Sequence, residues 1–186
     1  MSRGHLVVIS APSGAGKTTI CRRLQTSHPE WRFSVSATTR PRRPNETNGE
    51  DYTFLTEEQF DAYISAGELV EWEWIYGHRY GTLHSTLVEA LEGGEALLLD
   101  VDVKGGVRVK GRFPEDTTAI FIDPPSMETL IERLKKRGTE SPETLKKRLD
   151  RIPEELAYKK DYDHIVVNDD LDRAVNEIET IIMEVQ

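Results

Sequence analysis

One cysteine, Cys21, among 186 residues leaves no internal disulfide and excludes the stapled scaffolds of small secreted proteins. No apolar run approaches the roughly 18–20 residues of a membrane helix. The longest, Leu6–Ile9 and Ala96–Leu99, have the length of strands. The first residues lack the apolar stretch of a secretory leader, so a cytoplasmic chain is the expectation. Basic residues are the minority, 24 against 33 acidic, for a net charge of −9. That balance argues against nucleic-acid or membrane-surface partners and leaves room only for a local basic pocket. Repeats, low-complexity tracts and linkers are all missing, and the length suits a single domain.

What is present alternates between strand and helix patterns. His5–Ser10 reads as a buried strand that runs into a glycine-rich loop, with a helix from about Lys17 to Gln25. Thr56-Glu-Glu-Gln59 has the pattern of a capping box. Leu69–Ile75 and His78–Thr82 read as strands around a Tyr76-Gly77 turn. Ala96–Val101, Thr117–Ile122 and His164–Val167 are further strands. Met127, Leu130, Ile131 and Leu134 share a helical face behind Ser126 as N-cap, and Ser141-Pro142 opens another helix. Pro153 should end or kink that helix near Ile152. Leu171, Val175, Ile178, Ile181 and Ile182 form a closing amphipathic helix. Such alternation implies an α/β fold with a mostly parallel sheet covered on both faces.

The strongest local signal is Ser10-Ala-Pro-Ser-Gly-Ala-Gly-Lys-Thr-Thr19. Glycines let the backbone turn its N–H groups around phosphate oxygens, and the following helix adds its positive end. Lys17 would reach the β and γ phosphates, and the Thr18 hydroxyl could ligate Mg²⁺. Ala11 stands where the strict pattern asks for glycine. Leu97-Leu-Leu-Asp100 ends a hydrophobic strand in an acid, which in phosphate-loop proteins often helps to hold Mg²⁺.

A phosphate loop does not say where the γ-phosphate goes. A switch or motor NTPase positions water, whereas a small-molecule kinase binds an acceptor and excludes water. The segment Ser34-Val-Ser-Ala-Thr-Thr-Arg-Pro-Arg-Arg43 favours the kinase. It gathers Arg40, Arg42 and Arg43 among hydroxyls, and guanidinium forks match phosphate geometry.

The chain resembles the guanylate kinases over nearly its whole length. The resemblance rests on Ala11-Pro-Ser-Gly-Ala-Gly-Lys17, Ser34-Val-Ser-Ala-Thr-Thr-Arg40, Asn48-Gly-Glu-Asp-Tyr52, Glu71-Trp72, Tyr80-Gly81-Thr82, Asp100-Val-Asp102, Pro124-Pro125-Ser126, Arg137-Gly138-Thr139 and Val167-Asn-Asp-Asp170. It implies transfer of the γ-phosphoryl group of ATP to GMP, with Mg²⁺ at Thr18 and Asp100. It implies an ATP site at Ala11, Pro12, Ser13, Gly14, Ala15, Gly16, Lys17, Thr18 and Thr19, with Asn168 near the base or ribose. Arg40, Arg43, Tyr52 and Tyr80 would hold the GMP phosphate, and Ser36, Glu71, Thr82 and Asp102 would read guanine. Arg133, Arg137 and Arg148 would join Lys17 as catalytic cations on a mobile lid hinged at Gly138. Glu71 alternates with Val70 and Trp72, which suits an exposed strand acid equally well. Lys104, where many of these enzymes carry Gln, together with Arg42 and Pro153, departs from the family pattern.

The implied fold is a P-loop NTP-hydrolase-like core with an inserted α+β GMP-binding region and a helical lid. The core would span 1–32, 83–125 and 159–186, the insertion 33–82 and the lid 126–158. Two rivals share the fold: another small-molecule kinase such as a ribosyl bisphosphate kinase, and a guanylate-kinase-like module that binds phosphopeptides without catalysis. An intact Lys17 and Thr18 argue against the module.

Overall fold

The computed structural model describes residues 3–75, 77–136 and 142–185. Tyr76 of the expected turn, the lid arginine Arg137, the break at Gly138 and Thr139, and the N-cap Ser141 lie outside the described residues. Strand β1 (His5–Ser10) is at the centre of a five-stranded parallel sheet ordered β2-β7-β1-β8-β9. The others are β2 (Arg32–Phe33), β7 (Ala96–Asp100), β8 (Thr117–Asp123) and β9 (His164–Val167). Side chains alternate across this sheet and divide the core in two. Val7, Ile9, Leu98, Ile120, Ile122 and Val166 meet α1 (Lys17–Ser27), α5 (Met127–Lys136), α6 (Pro142–Ala157) and α7 (Leu171–Glu184) on one face. Leu6, Val8, Leu97, Leu99, Ala119 and Phe121 meet α3 (His84–Gly93) and α4 (Val103–Arg112) on the other. Both faces are covered, as a continuously apolar β1 requires.

A second sheet, ordered β4-β3-β6-β5, lies between β2 and α3 in the chain. It comprises β3 (Ala37–Thr38), β4 (Thr53–Phe54), β5 (Leu69–Ile75) and β6 (His78–Leu83). Helix α2 (Glu57–Ala66) covers it and buries Phe60 with Ala37 and Leu69 as a small core of its own. The capping box is formed: the Gln59 N–H donates to Thr56 Oγ1 at 3.2 Å, and the Thr56 N–H donates to Gln59 Oε1 at 2.8 Å. Ser126 caps α5 in the expected way, accepting from the Thr129 N–H at 3.1 Å.

Pro153 does not end its helix: α6 continues to Ala157. An interior proline costs roughly 3 kcal/mol. Ile152, which is buried, and Leu156, packed against both cores, hold the helix in place on either side of it.

Helix α4 touches β1 through Gly106. A Cβ there would come within 2.3 Å of Tyr162 Oη, 2.8 Å of Ser10 Oγ and 2.9 Å of Val8 Cγ1. Tyr162 is fixed by its hydrogen bond to the Val103 carbonyl at 3.0 Å and cannot yield cheaply. At Gly111, in the same helix, a Cβ meets nothing within 4 Å. Gly111→Ala should therefore stabilise by about 0.5–1 kcal/mol through helix propensity. Gly106→Ala should destabilise by about 1–3 kcal/mol through overpacking. Urea midpoints of the two variants should move in opposite directions; a shift of both the same way would refute the close-packing explanation.

Candidate active site

The parallel strands deliver the site at their C-terminal ends. Strand β1 ends at Ser10, and the next residues form the loop that leads into α1. Register places Ile9 opposite Asp100 and Ser10 opposite Phe121, so the end of β7 lies beside the loop. Gly14 and Gly16 adopt left-handed φ of 92° and 100°, which side-chain-bearing residues rarely tolerate. Gly16 is the N-cap of α1, which has no capping side chain and no acidic residue in its first turn. The helix therefore presents uncompensated N–H groups and its positive end to the loop. Ala11 and Pro12 are buried in the loop's base, while Thr18 and Thr19 are exposed at the helix start.

Lys17 donates to the Val101 carbonyl at 2.9 Å and pairs with Asp100. Burial works to lower the ammonium's pKa, but Asp100 more than offsets it and the net direction is upward. Lys17 is thus held charged. Four further side chains brace the loop. Asn168, which is buried, donates Nδ2 to the Ala15 carbonyl at 2.7 Å. Arg133 donates to the Asn168 carbonyl at 3.0 Å and to the Ala15 carbonyl at 3.4 Å. Glu155 of α6 accepts the Ser13 N–H at 2.9 Å, and Arg148 reaches Ser13 Oγ at 3.4 Å. Burial pushes the Glu155 carboxyl up, against the lowering effect of the Ser13 N–H.

Asp102 lines the same cleft as Lys17. Asp102 caps α4, accepting the Gly105 N–H on Oδ1 at 2.8 Å, and its Oδ2 is buried with no hydrogen-bond partner. Glu71 is 7% exposed and accepts Thr82 Oγ1–H on Oε1 at 2.6 Å. A Cβ on Gly105 would lie 2.7 Å from Glu71 Oε2 and 3.0 Å from Asp102 Oδ1, so both carboxylates converge on that glycine. Burial pushes the Glu71 carboxyl up to about 7; the Thr82 hydroxyl opposes the rise and the Asp102 charge adds to it. The exposed-acid alternative for Glu71 does not hold. A bulge between Leu69 and Glu71 turns Glu71 toward Thr82 and leaves Trp72 exposed.

The arginine cluster stands on the second sheet. Arg40 lies over the Tyr52 ring at 5.2 Å and the Phe54 ring at 5.6 Å, and Tyr52 meets Tyr80 edge-on at 6.0 Å. Arg42 and Arg43 are exposed. Ser36 is half-buried, and its carbonyl accepts the Thr53 N–H at 2.9 Å. Lys104 pairs with Glu154 at 2.8 Å, tying α4 to α6.

Two participants escaped the sequence reading. Arg148, Arg151 and Glu155 recur at i, i+3 and i+7, a helical face that could have marked Glu155. Glu46, which binds the arginines, sits in a loop with no periodicity to reveal it. Among the described residues, no group of three or more His, Cys, Asp or Glu side chains is gathered as a metal site. No helix there is long and apolar enough to cross a membrane.

A family model described as guanylate kinase matches residues 3–185. A protein named guanylate kinase from Salinibacter ruber is 50% identical over 97% of this chain and 96% of its own length. One from Symbiobacterium thermophilum is 46% identical over 97% of this chain and 85% of its own. The crystal structure of guanylate kinase from Anaplasma phagocytophilum superposes with a TM-score of 0.80 at 31% identity, covering 98% of this chain and 86% of that one.

Glu71 gives the folded chain a measurable pH dependence. The unfolded chain releases this proton near 4.5 and the folded chain only near 7. The folded state therefore holds the proton longer, and stability falls as pH rises from 4.5 through 7. At about 1.4 kcal/mol per pKa unit, the loss reaches roughly 3 kcal/mol. Glu71→Gln should lose less stability than the wild type between pH 5 and pH 8 in urea titrations. Equal losses would mean that Glu71 ionises normally.

Proposed function

We propose, since the chain belongs to the guanylate kinase family, that it transfers the γ-phosphoryl group of ATP to GMP, giving ADP and GDP, in cytoplasmic purine nucleotide metabolism. The observation that carries this reading is that Asp102 lines one cleft with the uncapped phosphate loop and converges on Gly105 with the buried Glu71, which Thr82 holds. Guanine offers donors at N1 and N2 beside the O6 acceptor. The Glu71 carboxylate and the orphaned Asp102 Oδ2 are acceptors in want of such donors. Adenine has a bare acceptor at N1 and would face them unfavourably. In this reading Ser36, Glu71, Thr82 and Asp102 bind the base, while Arg40, Arg43, Tyr52 and Tyr80 bind the GMP phosphate.

Residues Ala11 to Thr19 cradle the ATP phosphates with backbone N–H groups, and Lys17 leaves Asp100 to meet the β and γ oxygens. A second cleft lined by Gly16, Thr19, Arg133, Asn168 and Asp169 suits the adenosine end. The bond from the γ-phosphorus to the β–γ bridging oxygen breaks, its electrons stay on ADP, and a GMP phosphate oxygen bonds to the phosphorus. Positioning and charge stabilisation do nearly all of this work. On a lid of residues 126–158, Arg133 and Arg148 would swing from their present carbonyl and hydroxyl partners onto the transferring group, Arg137 would join them, and the closed lid would exclude water. The donor set fits Mg²⁺: the Thr18 hydroxyl and the Asp100 carboxylate are hard oxygens, and this ion needs few protein ligands when phosphates and waters complete its shell. Bound there, Mg²⁺ would neutralise charge between the β and γ phosphates.

A coupled assay of ATP with GMP, AMP, CMP and UMP tests the reading, with GMP expected to be preferred by on the order of 10⁴-fold over AMP. Equal use of AMP would end the assignment. Lys17→Ala should fold and lose nearly all transferase activity, because its charge serves the transferring phosphate; a near-normal kcat would discredit the phosphate-loop role. Glu71→Gln should lower GMP kcat/KM by about 1–3 kcal/mol and leave ATP affinity unchanged. Its pH profile is diagnostic. GMP binds the ionised Glu71, so the wild-type KM for GMP should fall about tenfold between pH 6 and 8, beyond any fall in the variant. Parallel profiles would show that guanine is read elsewhere.

A further inference from the structure

Glu46 touches all three arginines of the cluster. Its carboxylate takes Arg40 end-on, with Nη2 to Oε1 at 2.7 Å and Nη1 to Oε2 at 3.0 Å. Oε2 also accepts the Arg43 backbone N–H at 2.8 Å. The Glu46 carbonyl accepts from Arg42 Nη1 at 3.1 Å. The Arg40 and Glu46 side chains are only 12% and 14% exposed, so solvent competes weakly for this fork. The remaining Nη1 hydrogen of Arg40 goes to the Pro41 carbonyl at 2.8 Å.

A guanidinium has five N–H donors in a rigid plane. With the Nη1 pair and one Nη2 hydrogen taken, one hydrogen on Nη2 and one on Nε remain, side by side on a single edge. That edge still offers the two parallel donors that a phosphate accepts. The Tyr80 hydroxyl is the polar group that faces this edge and interacts with the guanidinium, so edge and hydroxyl would meet the phosphate together. The Tyr52 and Phe54 rings flank the guanidinium, 5.2 and 5.6 Å from ring centre to Cζ, and leave its in-plane orientation to Glu46.

We propose that Glu46 is a positioning residue for the acceptor phosphate: it grips the outer edge of Arg40 and the Arg43 backbone so that the inner Arg40 edge meets the phosphate already aligned. The proposal rests on the reading of the arginine cluster as the GMP phosphate site. Glu46 itself does not touch the acceptor. Its carboxylate uses donors that the phosphate does not need, so it prepares the site and does not compete for it. An arginine freed from Glu46 would have to be ordered by the incoming acceptor, which weakens acceptor binding and leaves the other nucleotide untouched.

Steady-state kinetics of Glu46→Gln at saturating ATP test this. The KM for GMP should rise on the order of tenfold, because a neutral amide cannot hold both partners and misplacement of a phosphate clamp is costly. Saturating kcat and the KM for ATP should stay near wild type. A merely structural loss would lower kcat and the melting temperature together. The effect should vanish in an Arg40→Gln background, where there is no guanidinium left to align. An unchanged or lower KM for GMP would overturn the proposal, as would full additivity with Arg40→Gln. Should Glu46→Gln fail to fold, Glu46→Asp, too short to span Arg40 and the Arg43 N–H, is read by the same criteria. Wild-type turnover of GMP in the same assay separates the two levels: with no turnover the acceptor reading fails, and with turnover but no Glu46 effect only the positioning role fails.

Discussion

A helix that starts without a cap, one glycine-bent loop beyond a buried strand, leaves its first backbone N–H groups without partners inside the helix. The uncapped start of α1 at Gly16 leaves the loop before it to be held by groups from other elements. Asn168 and Arg133 pull on the Ala15 carbonyl from β9 and α5, and Glu155 takes the Ser13 N–H from α6. Their grip adds to the hydrogen bond within the loop, from the Ala15 N–H to the Pro12 carbonyl at 3.1 Å. Asn168 also lies so close that a Cβ on Gly16 would come within 2.3 Å of its Nδ2. The positive φ and the close approach thus both demand glycine at this position.

Around the loop the protein keeps its charges in reserve. Lys17 rests on Asp100 and the Val101 carbonyl, Arg40 rests on Glu46, and Arg148 rests on Ser13. Each cation has a partner ready before any nucleotide arrives, which limits the desolvation cost of burying it. The carboxylates divide into two kinds. Asp100 and Glu46 have guanidinium or ammonium partners. Glu71 and Asp102 have only a hydroxyl and a backbone N–H, and burial raises the proton affinity of Glu71. A buried carboxylate with no cation hydrogen-bonded to it is suited to a neutral hydrogen-bond donor, which is the chemistry of a nucleobase edge.

Much of this was legible in the residue order. The phosphate loop, the capping box at Thr56, the Ser126 cap and the alternating strands and helices rest on local geometry, and each appears where the spacing called for it. Of the two expectations for Pro153, an end or a kink, the end does not occur because a local rule met a tertiary force: Ile152 and Leu156 hold α6 to the core across the proline. The orientation of Glu71 could not be read either. Strict alternation would have put Val70 and Trp72 on one face, but the extra residue at the β5 bulge shifts the pattern so that Val70 and Glu71 are both buried.

The sequence by itself determined the local chemistry: a glycine-bent loop before a helix, a strand ending in Asp100, and a knot of arginines between hydroxyls. These depend on neighbours a few residues apart, where φ restrictions and hydrogen-bonding capacity act directly. Only the tertiary structure decided which distant groups meet. The pairing of β1 with β7 brings Asp100 to Lys17, the turn into α4 brings Asp102 to Glu71, and the wrap of α6 brings Glu155 to Ser13. Such encounters follow from how a sheet and its helices bury their apolar faces together, a property of the whole chain that no short stretch of it encodes.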